Sequence, residues 1–349
     1  MLTKSLGLVS DNVTYDLEDS VAEGQKSNAR QALSAHLDAL AEADLNSTRP
    51  PSPGSETAAA ERPGRPRLHS IRQRPAGVPE IAVRINAVST RHALEDLTAL
   101  GGALDRGLVD TLVIPKVQGP ADLKFVADAV RRLAPGRQQQ QPDSDNSNPG
   151  LGPVKLLALI ESARAVMDLR EICAGVAAAD DNAPLDGLIF AAEDFALDLS
   201  VTRTPSLREF LYARSAIVTA SRAAGLASTI DLVCTSFQGT EGAARLAAEC
   251  RDGRGLGFNG KQCIHPNQVS VVQWQFAPGK DEIAWAVRVL VADEKATRSG
   301  RGAFTLDGSM IDAPVVGKAR ALVEKAERCW LDVEGLREKW KDVEPEWNT

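Results

Sequence analysis

The chain has 349 residues, of which 43% are hydrophobic, and a formal net charge of −7. This length suits one large α/β domain with additions or two ordinary domains, and the acidic balance without a basic stripe argues against nucleic-acid binding. The five cysteines form no CxxC pair, and the apolar stretches fall short of the roughly 20 residues of a membrane span, so neither a zinc site nor membrane insertion is indicated.

Segments typical of strands alternate with segments typical of helices along most of the chain. Strand signals begin near residues 12, 81, 111, 155, 186, 229 and 257, the last covering 256–264. Helices are predicted at about 26–43, 92–100, 120–133, 163–173, 206–224 and 240–250, with Gly175 and Gly225 expected to end two of them. This alternation indicates parallel βαβ units, and eight such units would close a TIM (β/α)8 barrel.

Seven strand signals are one fewer than a closed barrel needs. Leu2 to Leu8 fits the end of a helix, so the first strand is expected to lie upstream of Met1. An open doubly wound sheet is the alternative fold, although the chain has no GxGxxG turn to support dinucleotide binding.

Two low-complexity segments interrupt the pattern, and a helical region follows it. We expect disordered insertions at about 45–78 and 137–152, within a barrel that covers residues 1–270. Residues 271–349 form a C-terminal extension with helices at 281–299 and 314–340. This extension is too long to be the closing helix of a barrel alone, so we expect it to pack on a neighbouring subunit.

Acidic residues stand where two of the predicted strands end. Glu161 follows the strand at 154–160, and the adjacent acids Glu193 and Asp194 follow the strand signal at 185–192. The carboxyl ends of parallel strands meet at one edge of the sheet, where α/β folds place their chemistry. Two carboxylates there predict a site for a hard cation, Mg²⁺ first, although such acids can also be helix caps or surface charges.

Eight collinear stretches of the chain are similar to one known family. They are YDLEDSVAEGQKSNAR (15–30), VRIN (83–86), LVIPKV (112–117), ALIESARAV (158–166), LIFAAEDFALDL (188–199), YARSAIVTASRAAGL (212–226), GFNGKQCIHPNQV (257–269) and GAFTLDGSMIDAPVV (302–316). The sequence resembles the HpcH/HpaI aldolase and citrate lyase β-subunit superfamily, in particular its citrate-lyase-β-like branch of malyl-CoA and citramalyl-CoA lyases.

The resemblance implies a Mg²⁺-dependent lyase with a TIM barrel. Such an enzyme would cleave a β-hydroxyacyl-CoA thioester of citramalyl-CoA or malyl-CoA type into acetyl-CoA and a 2-oxo acid, or run the reverse condensation. A homo-oligomer, such as a trimer or hexamer, is implied as well. Two alternatives stay open: a citrate lyase β subunit acting on a citryl thioester, and a catalytically impaired remnant without the first strand. A mitochondrial or a cytoplasmic location is expected, with any targeting segment upstream of Met1.

The resemblance also implies roles for individual residues. Glu161 and Asp194 would ligate Mg²⁺, and Arg84 would face the substrate carboxylate and carbonyl oxygens. Asp312 would be the acid/base residue, contributed across a subunit interface. Asp16, Glu18 and Asp19 would lie in the second shell of the metal. From the residues alone, a surface or core salt bridge is the alternative for Arg84, and capping of the helix that follows is the favoured interpretation of Asp312, which the resemblance reverses.

Three basic residues, Lys26, Arg30 and Lys116, have competing interpretations. Lys26 and Arg30 lie one helical turn apart and would meet CoA phosphates, or would merely pair with Glu23 and neighbouring acids. Lys116 is in principle a Schiff-base lysine, but a metal-dependent lyase does not need one.

Overall fold

A parallel β-sheet organises the larger part of the fold. The structure, a computed structural model, describes residues 10–47, 79–139, 151–177, 183–300 and 302–346. Its parallel strands are β1 (Asn12–Asp16), β2 (Glu80–Arg84), β3 (Thr111–Ile114), β4 (Lys155–Ile160), β5 (Leu185–Phe190), β6 (Ser228–Asp231) and β7 (Gly260–Lys261). They lie side by side in chain order. This order is that of a (β/α) barrel and not of the doubly wound alternative, whose strand order reverses.

Helices follow the strands, as the alternating pattern predicts. Their bounds are α1 (Lys26–Ser47), α2 (Arg91–Asp105), α3 (Pro120–Leu133), α4 (Pro135–Gln139), α5 (Ala163–Met167), α6 (Leu169–Ala177), α7 (Ala192–Leu199), α8 (Leu211–Ala223), α9 (Gly239–Leu256) and α10 (Pro266–Phe276). Short 3-10 turns occupy Glu23–Gln25 and Arg208–Phe210. No helix in the described ranges is both long and apolar enough to cross a membrane.

Apolar side chains from the inner strands pack together on one face of the sheet. All four residues of β3 are buried, which accounts for its unbroken Thr-Leu-Val-Ile pattern. Five residues from β2 to β5 form a single buried cluster: Ala82, Val113, Leu157, Leu159 and Ile189. The buried strands hold the loops at their carboxyl ends in fixed positions.

Three predictions about element ends have different outcomes. Gly225 does end α8, with a φ of +69° and its N–H bonded to the carbonyl of Arg222. The prediction for Gly175 is wrong, because this residue lies inside α6, where a Cβ would come within 2.4 Å of Pro120. Its lack of a side chain allows α6 to approach α3. The strand predicted at 256–264 shrinks to Gly260–Lys261, since α9 continues to Leu256.

The C-terminal residues form a separate compact unit, Gln273–Thr349, after the first unit, Met1–Val272. Its elements are α11 (Lys280–Arg298), β8 (Phe304–Leu306), β9 (Ser309–Ile311), α12 (Ala313–Arg328) and α13 (Val333–Lys339). The predicted helices are present, but the second is interrupted after Arg328. Strands β8 and β9 form an unpredicted antiparallel hairpin, whose two-residue turn Asp307-Gly308 has positive φ at both positions.

Some predictions fall on residues outside the described ranges. These are the helix end at 2–8 and most of the two insertions, 45–78 and 137–152.

Candidate metal centre

The two predicted metal ligands stand at the ends of adjacent strands. Glu161 comes directly after β4 and is 5% exposed. Asp194 is half-buried in the first turn of α7, which begins two residues after β5 ends. Strands β4 and β5 are hydrogen-bonded neighbours whose last residues, Ile160 and Phe190, are paired. The sheet therefore delivers both acids to the same edge.

The pKa of Glu161 shows that the two acids interact. Burial, the largest cause, and the negative charge of Asp194 together raise it to about 8, against a hydrogen bond from the main-chain N–H of Lys116 that lowers it. A buried carboxyl beside another acid is costly to ionise without a cation. A divalent cation between Glu161 and Asp194 would relieve this cost.

Glu193 is excluded as the partner of Glu161 by its own contacts. Its half-exposed carboxylate is bound by Arg203, which also donates to the carbonyl of Val233 at 3.0 Å and to the buried Glu249 at 3.1 Å. Of the two adjacent acids, Asp194 is the one whose charge is among the main causes of the raised pKa of Glu161. The sequence contains no pattern that points to Arg203.

Lys116 joins two acidic segments of the centre. Its backbone is left-handed, with a φ of 53°, and its N–H donates to Glu161 Oε1. Its ammonium pairs with Glu18, and this hydrogen bond raises the pKa of Lys116 although burial alone would lower it. An amine held protonated in this way is unsuited to Schiff-base formation.

Arg84, at the end of β2, lies in a cluster of acids from the end of β1. Its Nε and Nη2 donate to the two carboxylate oxygens of Asp16 at 2.7 and 2.6 Å. Its Nη1 lies 3.1 Å from Glu18 Oε2 and 3.5 Å from Asp19 Oδ2. Arg84 therefore makes the salt bridge that the sequence left open. Its predicted role toward substrate remains a prediction.

The three acids of the DLED segment differ in environment. Glu18 is buried, and burial raises its pKa, while Asp19 is more than half exposed. The pKa of Asp16 would be raised by burial, but its hydrogen bonds, above all with Arg84, lower it to about 2. Lys116 connects Glu18 to Glu161, and the second-shell role of the three acids remains a prediction.

The contacts of Lys26 and Arg30 favour the structural interpretation over CoA binding. Lys26 is buried, and its ammonium donates to the carbonyls of Leu17 and Glu18 and to Asn86 Oδ1, at 2.6 to 3.0 Å. The guanidinium of Arg30 pairs with Glu95 at 2.7 Å and Asp96 at 3.0 Å. These acceptors satisfy the buried ammonium of Lys26 within the fold, and CoA binding by Lys26 and Arg30 remains a prediction.

Asp312 belongs to the second compact unit and caps α12. Its backbone is extended, and its carboxylate accepts the N–H of Val315 at 3.2 Å. Capping is the interpretation of Asp312 that the residues alone favour, and the cap is present. Its predicted catalytic role remains a prediction.

The donor set of the centre fits Mg²⁺. Within the described parts of the chain, no group of three or more His, Cys, Asp or Glu side chains is close enough to share a metal ion. A structural zinc site would need four such ligands. Mg²⁺ usually keeps several waters and takes one or two carboxylates, which is what Glu161 and Asp194 offer.

Comparison with known proteins gives three consistent similarities. Residues 51–266 match the family model described as HpcH/HpaI aldolase/citrate lyase. The chain is 31% identical to mitochondrial citramalyl-CoA lyase of Rattus norvegicus over 327 residues, 93% of this chain and 82% of that protein. It is 29% identical to citrate lyase subunit beta of Haemophilus influenzae over 341 residues, 97% of this chain and 94% of that protein.

A solved structure is similar over nearly the same span. The crystal structure of protein CitE from Mycobacterium tuberculosis, in complex with magnesium, acetoacetate and coenzyme A, superposes with a TM-score of 0.60. Its sequence is 29% identical, and the match covers 91% of this chain and 90% of that chain.

Proposed function

Because the chain belongs to the HpcH/HpaI aldolase/citrate lyase family, we propose that it is a Mg²⁺-dependent carbon–carbon lyase. Its substrate is a β-hydroxyacyl-CoA thioester of citramalyl-CoA or malyl-CoA type. Cleavage releases acetyl-CoA and a 2-oxo acid, and the reverse condensation uses the same groups. The observation that carries this proposal is the interaction between buried Glu161 and Asp194 at neighbouring strand ends.

Glu161 and Asp194 would hold the metal by their carboxylates. Bound there, Mg²⁺ supplies Lewis-acid polarisation of the substrate oxygens and a template that orients them. The chain contributes a buried setting, in which the main-chain N–H of Lys116 fixes one oxygen of Glu161. The other carboxylate oxygens remain available to ligate.

Arg84 is the candidate for binding the substrate's carboxylate or its developing oxyanion. A guanidinium offers a planar set of donors suited to such groups. Asp16 fixes two of these donors, and the third group, Nη1, faces Glu18 and the more exposed Asp19. Substrate would compete with Asp19 for Nη1, so Asp16 sets the plane of the guanidinium and Nη1 meets the ligand.

Asp312 is the candidate acid/base residue, supplied by the second compact unit of a neighbouring subunit. A positioned carboxylate can move the proton that separates acetyl-CoA from its enolate. This role requires a homo-oligomer, with a trimer or hexamer as the proposed assembly. The mitochondrial relative supports a mitochondrial location as part of the proposal.

A citrate lyase β subunit is the second candidate, favoured by the 29% identity over 97% of the chain. A citrate lyase β subunit would act on a thioester carried by an acyl-carrier protein, whereas the first candidate acts on a CoA thioester. Activity on free acyl-CoA, without partner subunits, distinguishes them.

The test is direct assay of the purified chain. With Mg²⁺ present, citramalyl-CoA should yield acetyl-CoA and pyruvate, or malyl-CoA should yield acetyl-CoA and glyoxylate. Chelation by EDTA and the substitution Glu161→Gln should each abolish the reaction, while Glu193→Gln, at the neighbouring acid, should leave it measurable. Turnover of neither thioester by a folded chain that binds Mg²⁺ would contradict the proposal.

A further inference from the structure

Helix α7 carries Asp194 in its first turn and a second acid, Asp198, in its last. Because the two residues are four apart, they lie on the same face of the helix. The carboxylate of Asp198 accepts the N–H of Ala163 at 2.7 Å. Ala163 lies two residues after Glu161. We propose that Asp198 is a positioning residue that sets the separation of Glu161 and Asp194, an inference that rests on the proposed Mg²⁺ site.

The acceptor role of Asp198 follows from the way α5 begins. Ala163 is the first residue of α5, and the first four N–H groups of a helix have no partner within it. The helix cap, Ser162, uses its hydroxyl to accept the N–H of Ala165 at 3.1 Å. Asp198, on α7, supplies the acceptor for Ala163, so this bond connects α5 to α7. The bond between Ser162 and Ala165, by contrast, stays within the first turn of α5.

Two hydrogen bonds bracket the pair of metal ligands. Before the acids, the N–H of Ala191 donates to the carbonyl of Ile160 at 3.1 Å. After them, Ala163 donates to Asp198. Glu161 and Asp194 lie within the closed loop formed by residues 160–163 and 191–198. Loss of the second bond would open this loop at the last turn of α7, while the pairing of Glu193 with Arg203 and the packing of Phe195 on Phe190 and Phe210 would still hold the rest of the helix.

Both partners are exposed, so the bond can be removed without disturbing the core. Asp198→Ala deletes the acceptor, and Asp198→Asn keeps an oxygen acceptor while removing the charge. Ala163→Pro deletes the donor from the other side. Proline is favoured at the first position of a helix, and Ser162 has the extended backbone, φ −144° and ψ 158°, that a following proline requires.

The experiment is calorimetric titration of the full chain with Mg²⁺ alone. Asp198→Ala and Ala163→Pro should each raise the Kd on the order of 10-fold, as loss of groups that orient metal ligands does. Asp198→Asn should bind almost as tightly as the wild type. The double variant should be no weaker than either single one, because both delete the same bond. Leu197→Ala, on the exposed side of the same helix, is the control and should leave the Kd unchanged.

Each outcome decides between the alternatives. Wild-type affinity in Asp198→Ala and Ala163→Pro overturns the inference, and so does equal weakening by Asp198→Asn and Asp198→Ala, which would assign the effect to charge. Thermal unfolding identifies which of Asp198→Ala and Ala163→Pro keeps the native fold. One folded variant of the two is enough for the test, because each removes the same hydrogen bond. Mg²⁺ binding that follows the expected order, in a chain that cleaves no acyl-CoA, would refute the proposed function and leave the positioning role standing. A wild type that binds no Mg²⁺ overturns both.

Discussion

Both carboxylate oxygens of Asp16 accept hydrogen bonds from the guanidinium of Arg84. The two residues are paired at the ends of the neighbouring strands β1 and β2. A bidentate pair of this kind fixes the plane of the guanidinium as well as its position. The side chains are mostly buried, at 23% and 17% exposure, so solvent screens them less than a surface pair. Arg84 is thus preorganised by its acid before any ligand arrives.

This pairing predicts a loss of stability in acid. The pKa of Asp16 is about 2 in the fold against 3.8 for a free aspartate side chain, so the folded state favours the ionised form. The contribution is present above pH about 4 and disappears as the pH falls through about 2. We expect the free energy of unfolding of Asp16→Asn to fall short of the wild type by roughly 2 kcal/mol at pH 6, with the difference shrinking in acid. Urea unfolding of the metal-free chain between pH 6 and 3 measures it.

The control for this prediction is Asp19→Asn, because Asp19 is exposed and lies farther from Arg84. It should change the unfolding free energy little at any pH. A difference between Asp16→Asn and wild type that does not vary with pH would contradict the argument.

Mg²⁺ binding should release a proton from Glu161. With a pKa of about 8, this carboxyl is mostly protonated at pH 7 in the metal-free chain. A ligand carboxylate must be ionised, so apparent affinity should rise up to about tenfold per pH unit below that pKa and level off above it. Calorimetry in two buffers of different ionisation enthalpy would detect the proton. Affinity independent of pH between 6 and 8 would show that Glu161 is already ionised or does not bind.

Substitutions at Asp312 separate its cap from its proposed catalytic role. Asparagine caps helices about as well as aspartate, so Asp312→Asn should keep the thermal transition of the wild type. If Asp312 moves a proton, the same variant should lower the lyase rate by at least about 100-fold. Asp312→Ala should show the same fall in the lyase rate, and its free energy of unfolding should also decrease by about 1 kcal/mol. Full activity in Asp312→Asn would restrict this residue to capping.

Replacement by alanine usually leaves a protein more stable than replacement by glycine. The left-handed backbone of Lys116 should reverse this order of stability. Left-handed conformation costs a residue with a Cβ on the order of 1 kcal/mol, a cost that glycine does not bear. Lys116→Gly and Lys116→Ala lose the same ion pair with Glu18, so they form a matched pair. We expect the free energy of unfolding of the glycine variant to equal that of the alanine variant or to exceed it by up to about 1 kcal/mol. Chemical unfolding compares them, and a clearly more stable alanine variant would disprove the strain.

Local pattern was sufficient to predict the parallel sheet and to place Glu161 at the same edge as Glu193 and Asp194, whereas the choice of Asp194 as a metal ligand came from the family resemblance and remains a prediction. Alternation of strands and helices fixes parallel order, and the carboxyl ends of parallel strands share an edge. Glu161 and Asp194 could therefore be placed together although 33 positions separate them in the sequence. The hairpin of the second unit was missed, even though its Asp307-Gly308 dipeptide is a known turn signal.

Partners beyond the local pattern were not predictable. The burial of Lys26 depends on Asn86 and on two main-chain carbonyls, which leave no trace in residue types. The same is true of Asp198, whose partner is the main-chain N–H of Ala163. Sequence periodicity shows which face of an element is apolar. It does not show which main-chain group a polar side chain will meet.

The two predicted metal ligands follow strands in the interior of the described sheet. Glu161 follows β4 and Asp194 follows β5, and each of these strands is hydrogen-bonded to a neighbour on both sides. The backbone leading to the two acids is therefore held from two directions. A change in the distance between the acids has to arise in the segments after the strands, where Ala163 and Asp198 meet.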